Sequence, residues 1–232
     1  MMLKKTWYDY SSNFSDATVV AGFTNRNFPF FSPEDRKQLA QKLDLDFDNL
    51  VIPQQVHSKN VAICLERGIV KNTDGVVTNK RELVLSLQVA DCIPIFLFDK
   101  HKQNIGLVHA GWQGVHKGIV EEGISKMQQL GSKPSNIEVV LGPAIRQCCF
   151  EVGPDVAVLF DSKFKIVGKD DRMQLDLQSV VISKLINIGI SNKNIIDKRI
   201  CTCCSDEYHS YRRDGNKAGR MVAVLGIGGL VE

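Results

Sequence analysis

The chain has 232 residues, with 29 Lys and Arg against 26 Asp and Glu, and is 44% hydrophobic and 24% charged. That balance belongs to a globular protein with ample core, which needs neither disulfides nor a metal merely to fold. A net charge of +3 supplies no concentrated basic field, so neither nucleic acid nor a membrane surface is an expected partner. The longest uncharged apolar run, 221–231, carries three glycines and falls short of the ~20 residues that span a bilayer. Lys4 and Lys5 precede Trp7, Tyr8, Asp9 and Tyr10 rather than an apolar stretch, so no export signal is expected and the chain reads as cytoplasmic. Its seven cysteines are then thiols, free to act as ligands or nucleophiles.

In chain order, Ser32-Pro33-Glu34-Asp35 predicts a helix start, with Ser32 as N-cap and Pro33 at the first helical position, running to about Leu43. Apolar, β-rich segments bounded by polar turns predict strands over 51–52, 61–65, 75–78, 83–89, 93–98, 105–108 and 139–141. Apolar residues recurring at helical spacing predict one helix over 115–130, through Ile119, Ile124, Met127 and Leu130. A second is predicted over 175–188, through Leu177, Val180, Val181, Leu185 and Ile188. The order of elements points to an α+β domain, 1–232, with a mixed β-sheet core flanked by helices. A dinucleotide-binding unit is disfavoured because Gly111, Gly114 and Gly118 do not space as G-x-G-x-x-G, and Gly226, Gly228 and Gly229 have no helix after them.

His57, Cys92 and His109 each follow an apolar strand, where sheets present functional groups. Two imidazoles and one thiolate form a three-ligand set that leaves a tetrahedral position open, as in catalytic zinc. By spacing alone they read rather as isolated polar residues at strand ends, because no C-x-x-C or H-x-x-x-H pair anchors them. Cys201, Cys203 and Cys204 with His209 form a weaker cluster, read as small buried thiols rather than a second metal site. Trp112 and His116 lie near His109 and are read as core and surface residues, and His101 as a solvated turn residue.

Four separated motifs carry a resemblance: Ala90-Asp91-Cys92-Ile93-Pro94, Val108-His109-Ala110-Gly111-Trp112, Leu141-Gly142-Pro143-Ala144-Ile145 with Cys149-Phe150-Glu151-Val152, and Ser210-Tyr211-Arg212-Arg213-Asp214-Gly215 with Gly219-Arg220. In this order the chain resembles the YfiH-type purine nucleoside phosphorylases, formerly called multicopper polyphenol oxidases or laccase-domain proteins. Gln55-Val56-His57 resembles the Q-V-H segment of that family. The resemblance implies α/β/β/α layers and a zinc held by His57, Cys92 and His109. It also implies cleavage of adenosine, inosine, guanosine or methylthioadenosine with phosphate to base and ribose 1-phosphate, with adenosine deamination as a side activity.

Cys92 and His109 are thereby expected at the reacting centre. Arg26, in Gly22-Phe23-Thr24-Asn25-Arg26, matches the family's G-F-S-T-R segment and is the first candidate for catalysis and phosphate binding. Arg212 and Arg220 are further substrate-binding candidates, since a guanidinium fork fits phosphate oxygens, and Arg213 is a weaker one. Ala21, Asn27-Phe28 and Gln113 depart from the family's His, Gly-Gly and Arg at those places. Two rival functions share the site. A copper polyphenol oxidase needs a trinuclear centre that five histidines cannot build, although copper could enter the zinc site adventitiously. A cysteine hydrolase would use Cys92 as nucleophile and His109 as base, with Asp91 or another acid as orienter.

Overall fold

Backbone pairing organises the apolar segments into fifteen strands, described together with six α-helices over residues 5–29 and 35–229 of a computed structural model. In chain order the strands are β1 (Trp7–Asp9), β2 (Val19–Thr24), β3 (Leu50–Pro53), β4 (Val61–Ile63), β5 (Gly68–Val70), β6 (Gly75–Thr78), β7 (Val84–Val89), β8 (Ile93–Asp99), β9 (Ile105–Ala110), β10 (Ile137–Leu141), β11 (Glu151–Val152), β12 (Lys165–Val167), β13 (Met173–Leu175), β14 (Ile195–Asp197) and β15 (Met221–Ile227). The helices are α1 (Asp35–Lys42), α2 (Trp112–Lys117), α3 (Ile119–Gln129), α4 (Pro154–Ala157), α5 (Leu177–Asn187) and α6 (Tyr211–Asp214). The N-cap expected at Ser32, with Pro33 and Glu34 after it, lies outside the described residues.

Two mixed six-stranded sheets dominate, ordered β1-β2-β15-β7-β3-β5 and β14-β10-β8-β9-β6-β4, beside a small sheet β11-β13-β12. Between the large sheets lies an apolar layer to which Phe23, Leu85, Leu87, Ala223 and Leu225 come from the first and Phe96, Phe98, Leu107 and Val140 from the second. Leu39, Ala40 and Leu43, on and just after α1, cover the outer face of the first sheet with Val222 and Val224. Helices α3 and α5 cover the outer face of the second through Ile119, Ile124, Met127, Val181 and Leu185. The expected α/β/β/α layering is therefore present, and it follows from sheets whose strands are apolar on both faces and so must be covered twice.

The strand over 75–78 has its expected bounds, and those from 83 to 108 shift by at most two residues. The helix expected over 115–130 is instead two, α2 and α3, broken at Gly118, which sits at φ +98°. That left-handed residue turns the chain by a step no continuous helix allows, and glycine takes it without steric cost. Two of the segments that cross from one large sheet to the other position the site: the turn from β7 into β8, and the loop from β3 into β4. The first carries Cys92 and the second His57.

Candidate functional site

The site begins with Asp74, a fully buried carboxylate just before β6. Its oxygens accept the backbone N–H groups of Val56 (3.2 Å), His57 (2.9 Å) and Ser58 (2.6 Å) and the Ser58 hydroxyl at 2.7 Å. One oxygen also lies 2.9 Å from His109 Nδ1. The carboxylate thus holds the 56–58 loop, where His57 adopts φ +58°, a left-handed conformation uncommon for non-glycine residues. It also orients His109: Nδ1 lies against Asp74, which leaves Nε2 as the atom a metal would take.

His109 is buried near the end of β9, Cys92 is half-buried and His57 is exposed. One donor atom from each lies within 4.8 Å of the others, with Cys92 Sγ 4.0 Å from His57 Nε2. Burial works against a charged Cys92, but His109 and His57 beside it outweigh burial and hold the thiol down at about 6. Burial likewise disfavours a charged His109, yet the Cys92 sulfur and Asp74 raise it to about 9. Without a metal the two form an ion pair, and a cation at the three donors would displace the His109 proton. Burial also acts to raise Asp74, but the donors from His109 and Ser58 keep its carboxyl well below the usual range.

The residues fit a metal ion. They offer a borderline-soft N₂S set, oriented from behind by a carboxylate, and the backbone leaves room for it: a Cβ at Gly111 would stand 2.9 Å from Cys92 Sγ and 3.2 Å from His57 Cδ2. A side chain there would fill the space around the donors.

A second buried acid, Asp91, at φ +80°, ties three segments together. Its carboxylate accepts Thr202 Oγ1 at 2.6 Å, Ser210 Oγ at 3.0 Å and the Arg212 backbone N–H at 2.7 Å, while its carbonyl accepts the Ile145 N–H at 2.9 Å. In the hydrolase arrangement Asp74, not Asp91, is therefore the acid on His109. Gln55 and Gln88 pin a further side by exchanging two hydrogen bonds, 2.8 and 2.9 Å long, between the Gln55 amide and the Gln88 backbone.

Together these segments wall a cavity of about 620 Å³ with His57, Cys92 and His109 in its lining, aromatic faces from Trp112, Phe150 and Tyr211, and the cations Arg212 and Arg220. Its volume is that of a small-molecule pocket. Arg212 lies over the Phe150 ring at 5.7 Å and donates to the Cys149 carbonyl at 3.1 Å. Arg213 instead points its guanidinium into the carbonyls of Thr202, Cys203, Ser205 and Tyr208 and pairs with Asp214, which is a structural role. Arg26 is not in the cavity lining; it donates to the Asp206 carbonyl and stands close enough to His209, with Arg220, to depress that imidazole further after burial has done so. His101 and His116 are exposed. Asp74 carries the arrangement yet was not singled out from sequence, where the available signal was an acid wedged between Thr73 and Gly75 at a strand start.

A sequence profile of the family described as multi-copper polyphenol oxidoreductase laccase matches residues 31–228. Purine nucleoside phosphorylase YlmD of Bacillus subtilis (strain 168) is 29% identical, with 93% of this chain and 91% of that protein covered. Adenosine deaminase RL5, from an unknown prokaryotic organism, is 31% identical over 80% and 78%. The crystal structure of YlmD from Geobacillus stearothermophilus superposes with a TM-score of 0.89 at 26% identity, covering 99% of this chain and 98% of that one. With most of its length matched and its layered sheets shared, this chain belongs to the multi-copper polyphenol oxidoreductase laccase family, among whose relatives stand proteins named as purine nucleoside phosphorylases and an adenosine deaminase.

Proposed function

We propose that this protein is a zinc-dependent purine nucleoside phosphorylase, cleaving adenosine, inosine, guanosine or methylthioadenosine with phosphate, and deaminating adenosine as a side activity. The observation that carries it is a three-donor set, clamped by Asp74, in the wall of a cavity that also holds two arginines and three aromatic faces. His57, Cys92 and His109 would hold the zinc, which when bound supplies Lewis acidity to an oxygen or nitrogen of the substrate. In phosphorolysis a phosphate oxygen forms a bond to C1′ as the C1′–N9 bond breaks, and the electron pair leaves with the base. Arg212 and Arg220, both in the lining, would bind the phosphate oxygens and balance the negative charge of the phosphate. Trp112, Phe150 and Tyr211 offer surfaces on which a purine stacks, holding the base while the bond to it opens. Asp91 fixes the backbone of Arg212 and of Ile145, so the cation and the apolar wall keep one geometry. Arg26 lies outside the lining and bonds the Asp206 carbonyl.

Among the described residues only two groups of His, Cys and acidic side chains could hold a metal, which gives no support to a trinuclear copper centre. The Asp74–His109–Cys92 array does favour one second reading, a cysteine hydrolase with Cys92 as nucleophile. Both are tested by measuring base release from adenosine and inosine with and without phosphate, alongside zinc content. Release that depends on phosphate and yields ribose 1-phosphate, about one zinc bound at this site, and loss of that zinc in His57→Ala, Cys92→Ala and His109→Ala are the expected results. Arg212→Ala should raise the KM for phosphate more than Arg26→Ala does. Equal rates without phosphate, or no release from any purine nucleoside, would overturn the phosphorylase; rapid alkylation of Cys92 in zinc-loaded protein would establish the hydrolase.

A further inference from the structure

Outside the cavity, the fold brings together four thiols that lie far apart in the chain. Cys148 and Cys149 follow β10, whereas Cys201 and Cys204 sit beyond β14, and the four sulfurs all lie within 4.8 Å of one another. The sulfur of Cys204 is 3.5 Å from that of Cys148 and 3.2 Å from that of Cys149, and those of Cys148 and Cys149 are 3.8 Å apart. We propose that Cys148, Cys149, Cys201 and Cys204 form a second, structural zinc site that clasps the loop after β10 to the segment after β14.

The spacing is what decides it. Four sulfurs at the usual zinc–sulfur distance of about 2.3 Å occupy tetrahedron corners about 3.8 Å apart, close to the separations found. An iron–sulfur cluster places inorganic sulfide and several irons between its cysteines, and there is no room for them at these distances. A disulfide needs sulfurs about 2.05 Å apart and would use only two of the four. Cys201 and Cys204 carry the C-x₂-C spacing of structural zinc ligands.

The scaffold around the thiols is rigid. Ala144 and Cys201 pair as a parallel bridge, and Arg146 Nη1 lies 2.7 Å from both carboxylate oxygens of Asp197. The sequence reading grouped Cys201, Cys203 and Cys204 with His209 as small buried thiols; the fold instead leaves Cys204 exposed and brings Cys201 and Cys204 together with Cys148 and Cys149. The clasp sits directly behind the cavity, since Cys149 presents its carbonyl to Arg212 and Thr202 bonds to Asp91. It would hold that wall in place without touching substrate.

The test separates this site from the one in the cavity. Protein carrying both Cys92→Ala and His109→Ala, purified under reducing conditions, should retain about one zinc per chain by elemental analysis, and adding Cys201→Ser and Cys204→Ser should remove it. Because those two substitutions could also impair folding, Cys148→Ser, at an exposed thiol, serves as the second variant. Cobalt loaded into the Cys92→Ala/His109→Ala protein should give the strong visible bands of a tetrahedral four-thiolate centre, weakened and shifted by Cys148→Ser. A Cys92→Ala/His109→Ala protein without zinc, zinc that survives loss of Cys201 and Cys204, cobalt bands unmoved by Cys148→Ser, or a Cys149–Cys204 disulfide in the reduced protein would each overturn the proposal. Loss of the cavity zinc alone leaves these outcomes unaffected.

Discussion

At the scale of single residues, Asp74 decides the geometry of the cavity. Three backbone donors, one hydroxyl and one imidazole converge on a carboxylate with no exposure to water. Such a group is stable as a charge only while all its partners remain, because a buried donor or charge left unmatched costs several kcal/mol. Asp74→Asn turns two lone-pair sites into N–H groups facing N–H donors. The expected outcome is a loss of about 3 kcal/mol in stability by denaturant unfolding and a weakening of metal affinity of roughly 10- to 100-fold, the usual cost of losing a partner behind a ligating histidine. Full zinc affinity in the folded Asn variant would show that His109 needs no orienting acid.

Among the secondary elements, glycine had two opposite meanings that sequence patterns alone do not separate. Gly118 was absorbed into one predicted helix, yet its φ of +98° ends α2 and starts α3. Gly→Ala in a continuous helix stabilises by up to about 1 kcal/mol, whereas at a left-handed residue it destabilises by about 1 kcal/mol or more. A Cβ at Gly118 meets nothing closer than 3.6 Å, so the backbone conformation alone sets the sign. Gly118→Ala is expected to lower the urea midpoint; a rise would mean that α2 and α3 are continuous. Gly22 and Gly226 are the other case: they interrupt the apolar pattern of β2 and β15, and both strands were missed. There a Cβ would stand 2.6 Å from Leu43 Cδ1 and 2.8 Å from Leu45 Cδ2 respectively, so glycine marks the place where the chain after α1 presses onto the sheet. The strands from β6 to β10 were legible because each is an apolar, β-rich run bounded by polar turns. The two- and three-residue strands of the small sheet are too short to show a period. His57, Cys92 and His109 were legible as strand-end residues, but their convergence depends on two chain crossings between the sheets, and long-range pairing of that kind leaves no local signal. The pairing of Cys148 and Cys149 with Cys201 and Cys204 escaped for the same reason.

For the molecule as a whole, the two large sheets are joined by aromatic rings as well as aliphatic ones. Tyr10 stacks on Phe23 of β2 and meets Phe96 of β8 edge-on, and Tyr208 leans on Phe23 from the other side, with ring centroids 6.1–6.2 Å apart. Tyr10 and Tyr208 are 3% and 2% exposed, and burial is the first cause that pushes both phenols far above their ordinary value. A raised folded value means that the native state keeps protons which the unfolded chain releases, so the stability held below the unfolded pKa of about 10 is lost as pH rises above it. Each buried phenol costs about 1.4 kcal/mol per pH unit in that window, or roughly 2–3 kcal/mol for the two between pH 9 and 11. The Tyr10 hydroxyl has no hydrogen-bond partner among the described residues, so Tyr10→Phe should change neutral-pH stability by less than about 1 kcal/mol. It should also remove about half of the alkaline loss measured by urea unfolding at the two pH values. Tyrosinate absorbance of the native protein at pH 11 should fall short of that expected from its four tyrosines and rise to the full value on unfolding. An unchanged alkaline loss in Tyr10→Phe, or full tyrosinate absorbance while the protein is still folded, would mean that water reaches the layer between the sheets and that these rings do not seal it.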